Sequence, residues 1–169
     1  MTKRIVVVDD HDVVRQGVRL ILRSRQDWIV IDEASNGNEA VEKIPRLNPD
    51  LAVLDISMPE KDGLEVIRDL KGLGVATKIV VLSMHNSKEL IATVRNLGAS
   101  GYILKTNAAQ DLIRAIDAIF AGGTFFPGPG ATPANSTRDA KAPEAGDARL
   151  KNPNVSSRIQ LGLAPAFAI

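Results

Sequence analysis

Three carboxylates, a hydroxyl and an ammonium close four apolar runs of this chain. Asp9 and Asp10 follow Ile5-Val6-Val7-Val8, Asp55 follows Leu51-Ala52-Val53-Leu54, Ser83 follows Ile79-Val80-Val81-Leu82, and Lys105 follows Gly101-Tyr102-Ile103-Leu104. Carboxylates gathered at close range cannot all stay ionised without a counter-charge. Lys105 is one source, and a hard divalent cation is a stronger one. Mg2+ takes oxygen ligands and typically combines one or two carboxylates with phosphate oxygens. Cation, ammonium and hydroxyl are also the groups that hold a phosphoryl group in place. With a carboxylate among them, the chemistry this set suits is formation of an aspartyl-phosphate by in-line attack of Asp55. Each residue alone has an ordinary explanation: a helix cap, a turn hydroxyl, a surface lysine. Their coincidence at four strand ends is the specific signal.

The elements that must position these residues are legible in the hydropathy pattern. Short apolar runs ended by turn signals read as strands buried on both faces, and Trp28–Ile31 is one more. Between them lie helical stripes: Val14, Val18, Ile21 and Leu22; Ala40, Val41, Ile44 and Leu47; Leu64, Ile67 and Leu70; Leu90, Ile91, Val94 and Leu97; and Leu112, Ile113, Ile116, Ile119 and Phe120. Pro45 falls inside the second stripe, so that helix is expected to be short or kinked. Asn86 with Glu89 and Asn107 with Gln110 resemble capping pairs. Arg15, Arg19, Arg23 and Arg25 lie mostly off the first stripe and read as a solvated face. Strand and helix alternate five times, which predicts an α/β fold, a doubly wound five-stranded parallel sheet, for which order 2-1-3-4-5 (flavodoxin-like) is one of the two common choices and the one expected here. In that order the carboxyl ends of the first, third and fourth strands converge where the strand order reverses.

Composition sets the bounds. The 21 basic and 20 acidic residues nearly cancel, so net charge argues neither for nor against a polyanionic partner. The absence of Cys removes disulfides, thiolate metal sites and a cysteine nucleophile. The apolar run after Met1-Thr2-Lys3-Arg4 is too short for a signal peptide or membrane span, so no membrane partner and a cytoplasmic location are expected. After Thr124 the character changes. Six of the nine prolines lie there among Ala, Gly, Ser and Asn, which reads as a disordered tail or linker over 124–169. Near its end, Ile159, Leu161 and Leu163 alternate like a strand.

Residues 3–123 resemble the receiver domain of two-component response regulators. The resemblance is carried by the Asp9-Asp10 pair, by Asp55-Ile56-Ser57-Met58-Pro59 with Asp62-Gly63, by Val81-Leu82-Ser83 and by Gly101 through Lys105. Ser83-Met84-His85, Gly98-Ala99-Ser100-Gly101-Tyr102 and Gly122-Gly123-Thr124 are similar to the subgroup with a LuxR-type (NarL/FixJ) output domain. The resemblance implies a role for each matched residue. Asp55 is the phospho-acceptor. Asp10 and Asp55 bind Mg2+ directly, Asp9 binds it through water, and the Ser57 carbonyl completes the protein ligands. Lys105 pairs with a phosphoryl oxygen, Ser83 is the switch hydroxyl, Tyr102 is the aromatic that follows it, and Pro59 and Gly63 shape the loop after Asp55. It further implies a sensor histidine kinase as donor, a homodimer on phosphorylation, and no enzymatic activity beyond the domain's own phosphorylation and dephosphorylation.

Two other functions are weighed against this one. An Mg2+-dependent phosphohydrolase working through an aspartyl-phosphate usually carries a second acid two residues after the nucleophile, and here that position is Ser57. A LuxR-type DNA-binding regulator needs four further helices after the linker. The stretch from Thr124 to Ile169 shows no such pattern, and its basic residues are few and scattered. Direct DNA binding by this chain is therefore not expected; the alternative reading is a LuxR-type DNA-binding regulator whose output domain is missing or altered here, beside that of a receiver standing alone with a tail.

Overall fold

The computed structural model describes residues 1–127. Of the tail expected over 124–169, only residues 124–127 are described; the rest, with Ile159, Leu161 and Leu163, lies outside the described residues. Strands and helices alternate in the order β1 (Lys3–Val8), α1 (Asp12–Leu22), β2 (Trp28–Ala34), α2 (Gly37–Leu47), β3 (Leu51–Asp55), α3 (Gly63–Gly72), β4 (Lys78–Ser83), α4 (Lys88–Asn96), β5 (Gly101–Leu104) and α5 (Ala108–Phe120). The five strands form one parallel sheet of order β2-β1-β3-β4-β5, the expected one of the two orders that the alternation allowed.

The central strands are apolar at every position because both faces are covered. Val6, Val8, Ala52, Leu54, Ile79 and Val81 point into one layer with Ala40, Ile44, Val66, Ile67, Leu70, Ile91 and Val94 of α2, α3 and α4. Ile5, Val7, Leu51, Val53, Val80 and Leu82 point into the other, with Val18 and Leu22 of α1 and Leu112, Ala115, Ile116 and Ile119 of α5. This alternation is the period of two inherent to a strand, and truncating any of the larger of these side chains would cost about 2–5 kcal/mol.

Four local expectations are corrected by the structure. Pro45 does not end its helix: α2 spans Gly37–Leu47 and includes it. The missing N–H costs one bond in the last turn, while the fully buried Ala40 and Ile44 hold the helix to the sheet. The cap of α4 is Ser87, whose Oγ accepts from the Leu90 N–H at 3.2 Å, rather than Asn86. Asn107 flanks α5 without a side-chain cap bond, because a 3-10 turn over Lys105–Asn107 leads into that helix. Arg15 is not solvated; its side chain is 13% exposed and turns back under the sheet's carboxyl end. Conversely, Asp62 and Glu65 form a full capping box at α3 that the turn signal alone did not reveal.

Among the described residues, no helix is long and apolar enough to cross a membrane.

Candidate functional site

Strand register brings the candidate residues to one place. Val8 pairs with Leu54, so Asp9 emerges beside Asp55. Asp55 pairs with Leu82 and Ser83 with Leu104, which sets Ser83 and Lys105 one step further along the same edge. The Lys105 ammonium lies 2.8 Å from Asp55 Oδ2 and 2.7 Å from Asp9 Oδ2. Burial pulls the Lys105 pKa down, but the hydrogen bond to Asp55 and the nearby charges of Asp55 and Asp9 outweigh it and leave it raised. Asp55 itself is only 1% exposed. Its second oxygen, Oδ1, accepts from the Ser57 N–H at 3.1 Å.

The loop after Asp55 is folded tightly to make that contact. Gly63 N donates to the Ile56 carbonyl at 2.9 Å, and a Cβ on Gly63 would run into the Asp55 carbonyl oxygen and Ile56 Cα. Only glycine permits this approach. Pro59 lies on the exposed outer part of the same loop.

Asp9 and Asp10 are not saturated by the protein. Asp9 Oδ2 is close to Lys105 but outside hydrogen-bond geometry, and Asp10 Oδ1 stands in the same relation to His11. Neither oxygen has a hydrogen-bond partner among the described residues. Buried carboxylate oxygens without donors are costly. One ligand atom from each of Asp9, Asp10, His11 and Asp55 lies within 4.8 Å of the others. Hard, anionic, donor-poor oxygens at that spacing suit a small divalent cation.

On the far side of Asp55, Ser83 is fully buried, and its Oγ accepts from the His85 N–H at 3.1 Å. Tyr102 is also fully buried. Its hydroxyl donates to the His85 carbonyl at 2.6 Å, so the phenol sits inward against the turn that Ser83 begins. Burial pushes the Tyr102 pKa up, opposed in part by the Ser83 hydroxyl and reinforced by the charge of Asp55.

Two residues at the site escaped the sequence reading. The His11 backbone N–H donates to Asp9 Oδ1 at 2.9 Å, and its ring Nδ1 lies 2.9 Å from Asp10 Oδ1. Its position directly after the acidic pair was the available signal. Arg15 donates to the Asp9 carbonyl at 2.7 Å and to Glu33 Oε2 of β2 at 3.2 Å, and also pairs with Asp12. It braces the backbone that carries the acidic pair, through partners on two strands that no local pattern discloses.

Comparison with known proteins agrees with this geometry. Residues 5–117 match the family model described as the response regulator receiver domain. The chain is 38% identical over 123 residues to the transcriptional regulatory protein DegU of Brevibacillus brevis, covering 73% of this chain and 52% of that protein. It is also 38% identical over 118 residues to the nitrate/nitrite response regulator protein NarL of Escherichia coli K12, covering 70% and 55%. This chain thus spans about half the length of the curated relatives it matches. Among solved structures, a LuxR-family two-component response regulator from Aurantimonas sp. SI85-9A1 superposes with a TM-score of 0.71 at 34% identity, covering 74% of this chain and 89% of that one. The isolated receiver domain of RcsB from Salmonella enterica serovar Typhimurium, determined with the phosphomimetic BeF3-, gives a TM-score of 0.71 at 28% identity, covering 75% and 94%. The strand order, the acidic cluster at the sheet's carboxyl end and these matches place the chain in the response regulator receiver family of two-component systems, among relatives of the LuxR type.

Proposed function

We propose that Asp55 accepts a phosphoryl group from a phosphohistidine of a sensor histidine kinase. In that step a carboxylate oxygen of Asp55 attacks phosphorus, and the P–N bond breaks with its electron pair leaving on the imidazole. The observation that carries this reading is the buried Asp55 held by Lys105 beside carboxylate oxygens that lack hydrogen-bond donors among the described residues. Asp10 and Asp55, with the Ser57 carbonyl and with Asp9 through water, are the residues to hold Mg2+, which when bound neutralises charge on the phosphoryl oxygens.

Each remaining residue has a defined task. Lys105 is already within reach of Asp55 and turns to a phosphoryl oxygen once one is present. Phosphorylation adds about −1.5 to −2 charge and three strong acceptors at Asp55. The Ser83 hydroxyl can donate to one of these while still accepting from His85. Tyr102, bonded to the His85 carbonyl, follows that turn, and the surface of α4 and β5 responds. The signalling unit proposed is the receiver over residues 3–123, acting as a phospho-switch and not as a metabolic enzyme. From the names of its relatives we assign it to the control of transcription, with a homodimer forming on phosphorylation.

Intact mass after incubation with acetyl phosphate and Mg2+ tests the reading. Wild type should gain one phosphoryl group and Asp55→Asn none. An unchanged wild-type mass would remove Asp55 from the role of acceptor.

A further inference from the structure

Beyond α5 the chain turns back to the sheet. Phe125 N donates to the Ser100 carbonyl at 3.0 Å, and the Phe125 carbonyl accepts from Tyr102 N at 2.7 Å, a parallel bridge opposite Gly101. These bonds occupy the outward-facing Tyr102 N–H of β5 and the Ser100 carbonyl just before it, on the last strand of the sheet order, which would otherwise be an open edge. Gly101 allows the approach. A Cβ there would stand 3.0 Å from the Phe125 carbonyl oxygen and 3.1 Å from side-chain atoms of Ile119 and Val80. Phe126 packs against the layer formed with α2, α3 and α4, and the Arg95 guanidinium of α4 lies 4.5 Å from its ring centroid. Tyr102 therefore has two attachments. Its amide holds Phe125, and its hydroxyl holds the His85 carbonyl, while the His85 N–H rests on Ser83.

We propose that the edge of β5, together with Arg95, is a docking surface for the chain's own segment Thr124–Phe126, and that phosphorylation tightens this docking through Tyr102. The inference rests on the roles given above to Asp55 and Ser83. A phosphoryl group that engages the Ser83 hydroxyl fixes the turn from Ser83 to His85. The His85 carbonyl then holds the Tyr102 ring inward, and the Tyr102 backbone keeps Phe125 in register. Without the phosphoryl group that turn is held by fewer bonds, Tyr102 opens more often, and the segment leading into the rest of the chain detaches with it. The site would thus reach the residues that follow the receiver by backbone pairing as well as by a change of surface shape.

Amide exchange on the full 169-residue chain tests this, read on a peptide spanning Gly122–Pro127 with and without beryllofluoride and Mg2+. Uptake of a phosphoryl group from acetyl phosphate is followed in parallel by intact mass. In wild type, beryllofluoride should slow exchange of the segment about fivefold, the factor one net hydrogen bond supplies. In Tyr102→Phe, which lacks the hydroxyl, that slowing should vanish, and Phe126→Ala should exchange faster with or without beryllofluoride. A segment that exchanges equally with and without beryllofluoride, in a protein that still gains phosphoryl mass, would overturn the docking proposal and leave Asp55 as acceptor. Slowing that persists in Tyr102→Phe would remove Tyr102 as the link. Absence of any mass gain would remove the Asp55 reading, and this inference with it.

Discussion

The two ends of the sheet are built on opposite terms. At the amino end, charges are matched and stacked. Arg25 pairs with Asp117 at 2.8 Å and Asp27 at 3.3 Å while lying over the Trp28 ring. Those hydrogen bonds to Asp27 and Asp117 raise its already high pKa. Trp28 meets Phe120 edge-on, and Lys3 lies over the Phe120 ring. At the carboxyl end, Lys105 faces both Asp9 and Asp55, Asp10 stands close by, and among the described residues two buried carboxylate oxygens have no hydrogen-bond donor. The same strands run through both ends, so the difference is not one of fold. A domain that matches its charges at one end gathers three carboxylates around one ammonium at the other, where a cation and a phosphoryl group would be received.

Four substitutions probe that contrast. Gly63→Ala should have the largest effect, because the new Cβ meets the backbone of Asp55 and Ile56 and the loop must move. Chemical denaturation should show a loss of about 2–3 kcal/mol, with slowed phosphorylation by acetyl phosphate. Lys105→Ala should cost about 2 kcal/mol in the absence of Mg2+, less than a fully buried pair because the lysine keeps some access to solvent. Saturating Mg2+ should restore part of it. The Lys105 contribution also has a direction in pH. Its folded pKa is raised above 10.5, so the contribution is complete below that value and is lost as pH climbs through the higher folded value. Arg25→Ala, at the matched end, should lower the melting temperature by less than either and leave phosphorylation unchanged. If it impaired phosphorylation as much as Lys105→Ala, the two ends would not be separable in function. Asp10→Asn should have the smallest effect of the four, and the opposite sign without metal: removing one charge from the crowded cluster should stabilise the fold.

What could be read from the sequence follows from where each signal resides. Strands β1, β3, β4 and β5 announced themselves because burial on both faces demands unbroken apolar runs. The candidate residues stood out because each run ends in a polar group. Chain-level rules of connection narrowed the sheet order to two common choices without any knowledge of contacts. What stayed hidden depends on partners distant in sequence. Arg15 looks like any helix-surface arginine until β2 places Glu33 and the sheet places the Asp9 carbonyl against it. Ser87 and Asn86 are both good caps in type, and only the folded chain shows that Ser87 Oγ is the one that accepts from the Leu90 N–H. Phe125 lies at the start of a proline-rich stretch, and only the open edge of β5 gives its backbone a partner.

The central claim, that the carboxyl end of the sheet is left short of positive charge in order to receive it, is tested most directly by one thermal melt of wild type and Asp10→Asn with and without Mg2+. Ligand binding to the folded state alone raises the melting temperature with ligand concentration. Wild type should melt higher with Mg2+. Asp10→Asn should melt higher than wild type without the ion and respond little when it is added. A wild-type melting temperature indifferent to Mg2+, or an Asp10→Asn protein that is less stable than wild type without metal, would contradict it.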